Sequence, residues 1–501
     1  MNALYYGDNL SVLREHIKDE SVDLIYLDPP FNSKANYNIL FQTPKGQNSQ
    51  AQIEAFKDTW EWGEQAEREF KELLDQSNTD VAKMMAALRG FLGENDMMAY
   101  LVMMANRLLE MYRVLKPTGA LYLHCDPSAS HYLKIVLDAV FGKKGYRNEI
   151  VWHYGQRTAF HKQHFSRKHD ILFYYAKSDL STFNPISETW DKEQFLSNRH
   201  DVLVDENGIE YIWTDGGKPG ERYKRLVEDV ISAGKPIDSV WNIPLLNAAS
   251  NERLGYPTQK PLALLERIVK ASSNENDVIL DPFCGCGTAV HAAHKLGRQW
   301  IGIDITHLAI ALIEKRLKDA FKGIKFEVHG TPKDLDGARD LANRDKYQFQ
   351  YWACSLVNAR PAQNKKKGAD GGIDGLIFFQ DQIDSENAAK KVIVSVKGGE
   401  NVSVAMVREL GHVVASEKAV IGLFVTLKEP TKPMQTEAVK AGYYESPSFP
   451  DKQFPKLQIL TVEDLLKGSV QANLPPDLAQ GVHTFKKAKK EKKASNQGVL
   501  F

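Results

Sequence analysis

Residues 278–288 read VILDPFCGCGT, an apolar run that leads directly into a turn rich in glycine. The apolar run predicts a strand, and the helical spacing that begins at Ala289 predicts a helix after the turn. A second strand, Trp300–Ile303, ends at Asp304. Glycines let a backbone pass close to a ligand, a helix start offers unpaired N–H groups, and an acidic strand end can accept both hydroxyls of a ribose. The stretch therefore predicts a mostly parallel α/β sheet that binds a cofactor containing adenosine.

The same residues exclude two common phosphate-binding turns. The dinucleotide pattern G-x-G-x-x-G is absent, and no G-K-S/T sequence follows the glycines. Cys284 and Cys286 form a C-x-C pair without a partner cluster, which is a poor zinc site. A purely structural turn is the alternative interpretation, so the cofactor hypothesis depends on support from elsewhere in the chain.

That support comes from residues 22–31, VDLIYLDPPF, where another apolar strand ends in an acidic, proline-containing turn. The Asp28 carboxylate and a main-chain carbonyl can accept the two N–H bonds of an exocyclic amine and stabilise the positive charge that develops on methylation. Proline has no N–H, so the turn presents carbonyls, and Phe31 offers a face on which an extruded base can stack. A strand that simply ends at proline is the alternative.

Composition limits the class of protein. The chain has 501 residues, which predicts two to four domains, and its hydrophobic fraction of 43% is typical of globular proteins. Lys+Arg and Asp+Glu are both 64, which excludes a uniformly basic DNA-coating protein but not a basic cleft. Four cysteines, no membrane-spanning apolar run and no basic-then-apolar leader predict a cytoplasmic protein without a membrane partner.

Five motifs follow one another in a fixed order: Gly7-Asp8-Asn9, D-P-P-F at 28–31, T-Q-K-P at 258–261, D-P-F-x-G-x-G-T at 281–288 and I-G-I-D at 301–304. Together they resemble the β class of DNA amino-methyltransferases that use S-adenosylmethionine, the N6-adenine and N4-cytosine enzymes. The resemblance covers about residues 1–320. It implies a Rossmann-like methyltransferase sheet with an inserted target-recognition region, and double-stranded DNA as the partner.

The resemblance also implies roles for individual residues. The Asp28 carboxylate and the Pro29 carbonyl would hold the target amine, Phe31 would stack on the flipped base, and transfer would be direct and in line. Asp304 would take the cofactor's ribose, and Lys260 would lie near its carboxylate end. The predicted catalytic residues are Asp28, Pro29, Pro30 and Phe31, and the predicted cofactor residues are Asp8, Lys260, Asp281, Phe283, Gly285, Gly287, Thr288 and Asp304.

Adenine is the expected target, because in this family Asp at the first motif position usually accompanies N6-adenine and Ser usually accompanies N4-cytosine. The expected enzyme is thus an adenine-specific, site-specific DNA methyltransferase, and N4-cytosine specificity stays open. A non-catalytic DNA-binding factor with this fold is a further alternative.

The pattern of elements divides the chain into six segments. These are the catalytic half at 1–149, the target-recognition region at 150–255, the cofactor-binding half at 256–330, a linker at 331–347, a second α/β unit at 348–470, and a basic disordered tail at 485–501.

The second α/β unit resembles the Mrr-type restriction-endonuclease-like fold. Asp374, before one strand, and Lys397, at the end of a later strand, are the parts of a phosphodiesterase that would hold Mg²⁺ and orient water. The position two residues before the lysine is normally acidic or Gln, and here it is Ser395. A bifunctional enzyme that also cleaves DNA and a DNA-binding relic of that fold are both open, and Gln348 or Gln350 is a candidate replacement ligand.

The tail carries six Lys and one Glu between Lys486 and Lys493, which predicts disorder and weak, non-specific DNA binding. Its last residues, Gln497–Phe501, resemble the peptide that binds the bacterial sliding clamp, with Gly498 departing from the usual Leu. The replication clamp is therefore a possible partner.

Overall fold

The computed structural model describes most of the chain. The described residues are 2–30, 36–42, 48–57, 60–155, 162–197, 199–216, 218, 220–247, 250, 252–256, 258–362, 372–382, 389–478, 484–485 and 488–491. Phe31, Gln497–Phe501 and Lys486 therefore lie outside the described residues, and the predictions made for them stay predictions.

The helices are bounded as follows: α1 (Asn9–His16), α2 (Glu64–Leu74), α3 (Thr79–Leu92), α4 (Asp96–Val114), α5 (Ser130–Phe141), α6 (Lys192–Ser197), α7 (Val227–Ala233), α8 (Leu262–Ser272), α9 (Thr288–Lys295), α10 (His307–Ala320), α11 (Leu335–Arg344), α12 (Lys346–Leu356), α13 (Val404–Ser416), α14 (Lys432–Lys440) and α15 (Val462–Lys467).

The strands are bounded as follows: β1 (Ala3–Tyr6), β2 (Val22–Leu27), β3 (Asn36–Gln42), β4 (Asn48–Lys57), β5 (Leu115–Cys125), β6 (Tyr146–His153), β7 (His169–Ala176), β8 (Ser187–Glu188), β9 (Leu203–Val204), β10 (Glu210–Asp215), β11 (Arg222–Leu226), β12 (Lys235–Pro236), β13 (Val240–Asn242), β14 (Val278–Asp281), β15 (Gln299–Asp304), β16 (Glu327–His329), β17 (Arg360–Pro361), β18 (Gly375–Gln380), β19 (Ala389–Lys397), β20 (Ile421–Thr426), β21 (Tyr443–Glu445), β22 (Gln453–Pro455) and β23 (Leu457–Thr461).

A nine-stranded sheet forms the centre of the first unit, with the order β13-β6-β7-β5-β2-β14-β15-β1-β16. Its strand pairs are parallel except that β7 runs antiparallel to both β5 and β6. Strand β2 is buried along its whole length because apolar layers cover both faces of the sheet. The predicted fold class, a mixed α/β methyltransferase-like sheet followed by a separate α/β unit, is confirmed.

Helices cover the two faces with separate apolar cores. One core contains Met104 and Leu108 of α4, and the other contains Leu264 of α8 and Ile313 of α10, all of them fully buried. Helix α4 begins where the Asn95 side chain accepts a hydrogen bond from the backbone N–H of Met98, a capping interaction that fixes the start of the helix.

The structure divides residues 150–255 differently from the expected single recognition region. Strands β6, β7 and β13 lie in the central sheet: β7 pairs with β5, β6 pairs with β7, and β13 pairs with β6. The separate part is smaller and contains the antiparallel sheet β11-β10-β9, which packs on α7 through Ile212 and Val230.

The second unit has a five-stranded sheet with the order β17-β18-β19-β20-β23, in which β19, β20 and β23 are parallel. The segment 331–347, expected to be a polar linker, instead contains α11. Asp334 caps that helix, and Ala338, Leu341 and Ala342 are buried in the core of the second unit. Charged residues dominate the segment, so its narrow apolar face gave a weak helical signal.

Part of the C-terminal segment contacts both units. Thr484 exchanges hydrogen bonds with the backbone of Phe378 in β18, at 2.8 Å each. The Glu491 backbone N–H donates to Ala320, and its carboxylate lies 3.2 Å from both His291 and Lys295 of α9. The chain therefore returns to the first unit after completing the second.

None of the helices in the described ranges combines the length and the apolar character that crossing a bilayer requires.

Candidate active site

Adjacent strands of the central sheet end at one edge and bring three carboxylates together. Asp28 follows β2, Asp281 ends β14 and Asp304 ends β15, and the register pairs Tyr6 of β1 with Asp304. These ends enclose a cavity of about 250 Å³. The predicted site residues that line it are Asp8, Asp28, Pro29, Pro30, Lys260, Asp281, Phe283, Gly285, Thr288 and Asp304.

Gly287 is the predicted cofactor residue that lies behind this wall. Its φ is +75°, and a Cβ there would lie 2.9 Å from Cγ1 of Ile313. Gly285 has a φ of +53°, and its Cβ would lie 3.3 Å from the Tyr256 ring. Both positions therefore require glycine, one to pack on α10 and one to keep the cavity wall open.

Asp304 is fixed by the turn it faces. Its Oδ2 accepts the Gly285 backbone N–H at 2.9 Å, and its Oδ1 accepts the N–H and O–H groups of Thr306, each at 2.9 Å. Burial raises the pKa of Asp304 to about 6, against the hydrogen bonds that lower it. The carboxylate is thus held rigidly at the strand end where the sequence predicts ribose recognition.

Asp281 is more strongly desolvated. Its side chain is buried, and burial raises the pKa of its carboxyl well above the usual value, while the Phe283 N–H donates to Oδ1 at 3.1 Å and opposes that rise. A buried carboxylate that faces an open cavity is suited to a ligand with a positive charge, because such a charge would compensate for the lost hydration.

The loop at residues 7–9 is attached by buried hydrogen bonds to residues 281–288, which we call the cofactor turn. Asn9 Nδ2 donates to the Pro282 carbonyl at 2.9 Å. The buried guanidinium of Arg107, from α4, donates to Asn9 Oδ1 at 2.6 Å and to Asp8 Oδ2 at 2.7 Å. The Asp8 carboxylate is therefore oriented by Arg107, a residue that the sequence patterns did not identify.

Asp28 contacts two basic side chains. Its Oδ2 lies 2.5 Å from Lys260 Nζ, and its Oδ1 lies 3.6 Å from His124 Nδ1. A carboxylate can accept hydrogen bonds but not donate them, so the Lys260 ammonium is the donor in this contact. Lys260 was predicted to lie near the carboxylate end of the cofactor, and the structure places it in contact with Asp28, the predicted catalytic acid.

His124 continues this contact into a buried chain of polar groups. Its Nε2 lies 3.1 Å from Asp170 Oδ2, and the Tyr154 hydroxyl donates to Asp170 Oδ1 at 3.1 Å. Tyr26 Oη lies 3.2 Å from His124 Nδ1. Sequence reasoning missed His124 and Asp170, although both stand at strand ends on the same edge as Asp28, and that position was the available signal.

A buried arginine supports the cofactor turn from α10. Arg316 Nη1 donates to the Cys286 carbonyl at 3.1 Å and to Thr288 Oγ1 at 3.0 Å. Burial raises the pKa of the Cys286 thiol, so it stays protonated.

The second unit also touches the cavity wall. Tyr351 of α12 packs in one buried cluster with Tyr256, Cys286 and Leu308. Of these, Tyr256 and Cys286 line the cavity. Gln348 Oε1 accepts the backbone N–H of His307 at 3.0 Å. The α10–α12 contact thus joins the two units directly behind the cofactor turn.

The predicted metal residue of the second unit is already hydrogen bonded. Gln350 Nε2 donates to Asp374 Oδ1, and the Val396 N–H donates to Oδ2 at 2.6 Å. Ser395 is buried, and Lys397 follows Val396 directly. Within the described ranges, no group of three or more His, Cys, Asp or Glu side chains is arranged to hold a metal ion. The Mg²⁺ site stays a prediction.

Comparisons with known proteins identify a family and relatives that this chain resembles. The N6/N4 methyltransferase family model, described as a DNA methylase, matches residues 22–315. The type II methyltransferase M.HpaI of Haemophilus parainfluenzae is 30% identical over 261 residues, which is 52% of this chain and 72% of the relative. The DNA adenine methyltransferase YhdJ of Escherichia coli K12 is 25% identical over 316 residues, which is 63% of this chain and 82% of the relative.

A solved structure, the PvuII DNA methyltransferase described as cytosine-N4-specific, is 13% identical, with a TM-score of 0.37 over 65% of this chain and 89% of that one. For the second unit, the family model described as NACHT-associated inactive restriction endonuclease 1 matches residues 349–467.

Proposed function

The chain belongs to the N6/N4 family of S-adenosylmethionine-dependent DNA methylases, and from this premise we propose that it methylates the exocyclic N6 amine of adenine in DNA. The observation that carries the proposal is the position of Asp28. Its side chain lines the same cavity as the cofactor turn, together with the side chains of Asp281 and Asp304.

The charge of the cavity fits the cofactor. The charged side chains that line it are four carboxylates, from Asp8, Asp28, Asp281 and Asp304, and two cations, from Arg107 and Lys260. S-adenosylmethionine carries a sulfonium, an ammonium and a carboxylate, and when bound it supplies a methyl group that is already reactive. Asp304 would accept its ribose hydroxyls, and the buried Asp281 would compensate its positive charge.

The protein's own contribution is positioning and charge stabilisation. Asp28, held by its contact with Lys260, would accept one N–H of the target amine, and the Pro29 carbonyl would accept the other. These acceptors draw the nitrogen lone pair out of the ring and toward the methyl group. Because a base inside a duplex cannot reach this cavity, the target base must be extruded from the helix, where Phe31 would stack on it.

Adenine is favoured over cytosine by the Asp at the start of the D-P-P-F turn. The relative named as an adenine methyltransferase also supports it. N4-cytosine is the alternative target.

The experiment is to incubate the purified protein with S-adenosylmethionine and mixed genomic DNA, digest the DNA to nucleosides and identify the methylated product by mass. We expect N6-methyldeoxyadenosine from the wild type and none from Asp28→Ala. As the matched control, Asp179→Ala removes an exposed carboxylate that pairs with Arg147, and it should leave the yield unchanged.

Three results would contradict parts of the proposal. N4-methyldeoxycytidine would overturn the target, and methylation by Asp28→Ala would overturn the role of Asp28. No product from a protein that binds S-adenosylmethionine would overturn the activity itself.

For the second unit we propose DNA binding without cleavage. Both carboxylate oxygens of Asp374 already accept hydrogen bonds, and the position that should supply a second metal ligand is the buried Ser395. The model that matches this unit is described as an inactive endonuclease, which supports the relic over the bifunctional alternative.

A further inference from the structure

His124 lies beside the reactive carboxylate and has no role in the methyl transfer described above. Its side chain is completely buried at the end of β5, next to the end of β2. The titratable groups that face it are Tyr26 and Asp28 from β2 and Asp170 from β7. From β6 it meets the edge-on ring of Trp152, with ring centroids 5.4 Å apart.

Two further groups act on His124 through its neighbours. Tyr154 donates to Asp170, and Lys260 pairs with Asp28. Burial alone would raise the pKa of Asp170, but the hydrogen bond and charge of His124, the charge of Lys260 and the Tyr154 hydroxyl lower it below its usual value. Asp170 is therefore a carboxylate at neutral pH.

Asp170 determines which nitrogen of His124 carries the proton. A carboxylate can only accept, so the nitrogen at 3.1 Å, Nε2, must be the N–H donor. In the neutral ring Nδ1 is then an unprotonated acceptor. It lies 3.2 Å from the Tyr26 hydroxyl, which can rotate to donate to it or away from it, and 3.6 Å from Asp28 Oδ1, just beyond hydrogen-bond distance. The structure thus places a base of fixed orientation directly behind the reactive acid.

Methylation of an amine leaves one proton to be removed. The N–CH₃ bond forms as the S–CH₃ bond breaks, the nitrogen becomes positively charged, and one of its N–H protons must leave. Asp28 is the nearest acceptor for that proton, but an aspartate is ordinarily a weaker base than imidazole.

We propose that His124, with its tautomer fixed by Asp170, accepts the reaction's proton from Asp28. The inference rests on the proposed function. The proton passes from the amine to Asp28 Oδ1 and on to Nδ1 of His124, which leaves an imidazolium between two carboxylates. When the product departs, the proton returns through Asp28 to water. His124 acts through Asp28 and is therefore a positioning residue.

The experiment compares single-turnover methylation rates from about pH 5.5 to 9, a range that spans the ordinary titration of histidine. In the wild type the rate should fall on the acidic side, because a protonated His124 cannot accept. The amide of His124→Gln keeps a donor toward Asp170 but has no base. We expect it to react about 10²-fold more slowly and to lose the acidic limb.

Two further variants make the outcome specific. Asp170→Asn removes the charge that favours the imidazolium, so its acidic limb should move to lower pH. His16→Gln changes an exposed histidine in the last turn of α1, and it should match the wild-type profile. Binding of S-adenosylmethionine, measured by calorimetry, should be equal in all four proteins.

A His124→Gln enzyme that is slower but keeps the acidic limb would show that His124 only packs, and would overturn the proposal. An unmoved limb in Asp170→Asn would show that the group responsible for the acidic limb does not contact Asp170. That result would also overturn the proposal, and it decides between the outcomes if His124→Gln does not fold. A wild type that makes no methylated base would instead refute the proposed function, so the two failures are distinguishable.

Discussion

At the scale of single residues, Asp304 links cofactor binding to pH. Its carboxyl has a pKa raised to about 6 by burial, whereas an aspartate in an unfolded chain titrates near 4. Ribose hydroxyls donate more strongly to the ionised form than to the protonated one, so protonation should weaken cofactor binding below about pH 6. The sign is thus fixed: affinity is full above the folded-state pKa and falls as pH decreases through it.

We therefore predict that the Kd for S-adenosylmethionine rises by up to about tenfold per pH unit below pH 6, the limit when only the ionised form of one group binds. Titration calorimetry at several pH values measures it. Asp281 adds its own dependence, so Asp304→Asn is the necessary reference. That variant should bind more weakly throughout and show a smaller slope, and an unchanged slope would contradict the role of Asp304.

The residues of the site differ in how far the sequence could predict them. Asp28, Asp281 and Asp304 follow apolar strands, and the position of a strand end is visible in the sequence. Arg107 lies inside helix α4 among apolar neighbours, and its contact with Asp8 depends on how that helix packs. No local pattern specifies such packing, so it could not be derived.

At the scale of elements, helix α12 of the second unit supports the cofactor cavity of the first. Tyr351 packs behind Tyr256, which lies against Gly285, whereas Tyr347 on the same helix is 61% exposed. Deleting a buried aromatic side chain costs about 3–5 kcal/mol of folding free energy. If roughly a third of this acts on the cavity wall, Tyr351→Ala weakens cofactor binding about tenfold.

Equilibrium binding of S-adenosylmethionine to Tyr351→Ala and Tyr347→Ala tests this coupling. The exposed position serves as the matched control, and its variant should retain the wild-type Kd. Equal affinities in both variants would show that α12 only covers α10 and does not shape the cavity.

The elements of the fold differ in how well sequence patterns predict them. Strand β2 is apolar along most of its length, and that apolar run is enough to predict a strand. Helix α11 buries only Ala338, Leu341 and Ala342 on an otherwise charged surface. Its stability comes from contact with the second unit. A linker and a surface helix of this composition have similar sequences, so the sequence alone does not distinguish them.

At the scale of the whole molecule, we propose that the first unit transfers the methyl group and that the second unit binds DNA without cleaving it. We predict that the 501-residue protein, given Mg²⁺ and unmethylated plasmid, produces no nicked or linear DNA in a gel assay, because the buried Ser395 stands where a second metal ligand is needed. DNA binding should persist in a mobility-shift assay. Cleavage that disappears in Lys397→Ala would contradict this and restore the bifunctional alternative.

The order of strands in the central sheet determines how long β1 must wait for its partner strands during synthesis. Strand β1 lies between β15 and β16, so Ala3 finds its partner Ile301 only after about 300 further residues have left the ribosome. At the usual ~5–20 residues per second, this takes roughly 15–60 s. During that interval β1, an apolar strand, has neither of its partners. Production of this protein should consequently depend on chaperones, and slowed translation should lower its soluble yield more than that of a protein whose strands pair locally.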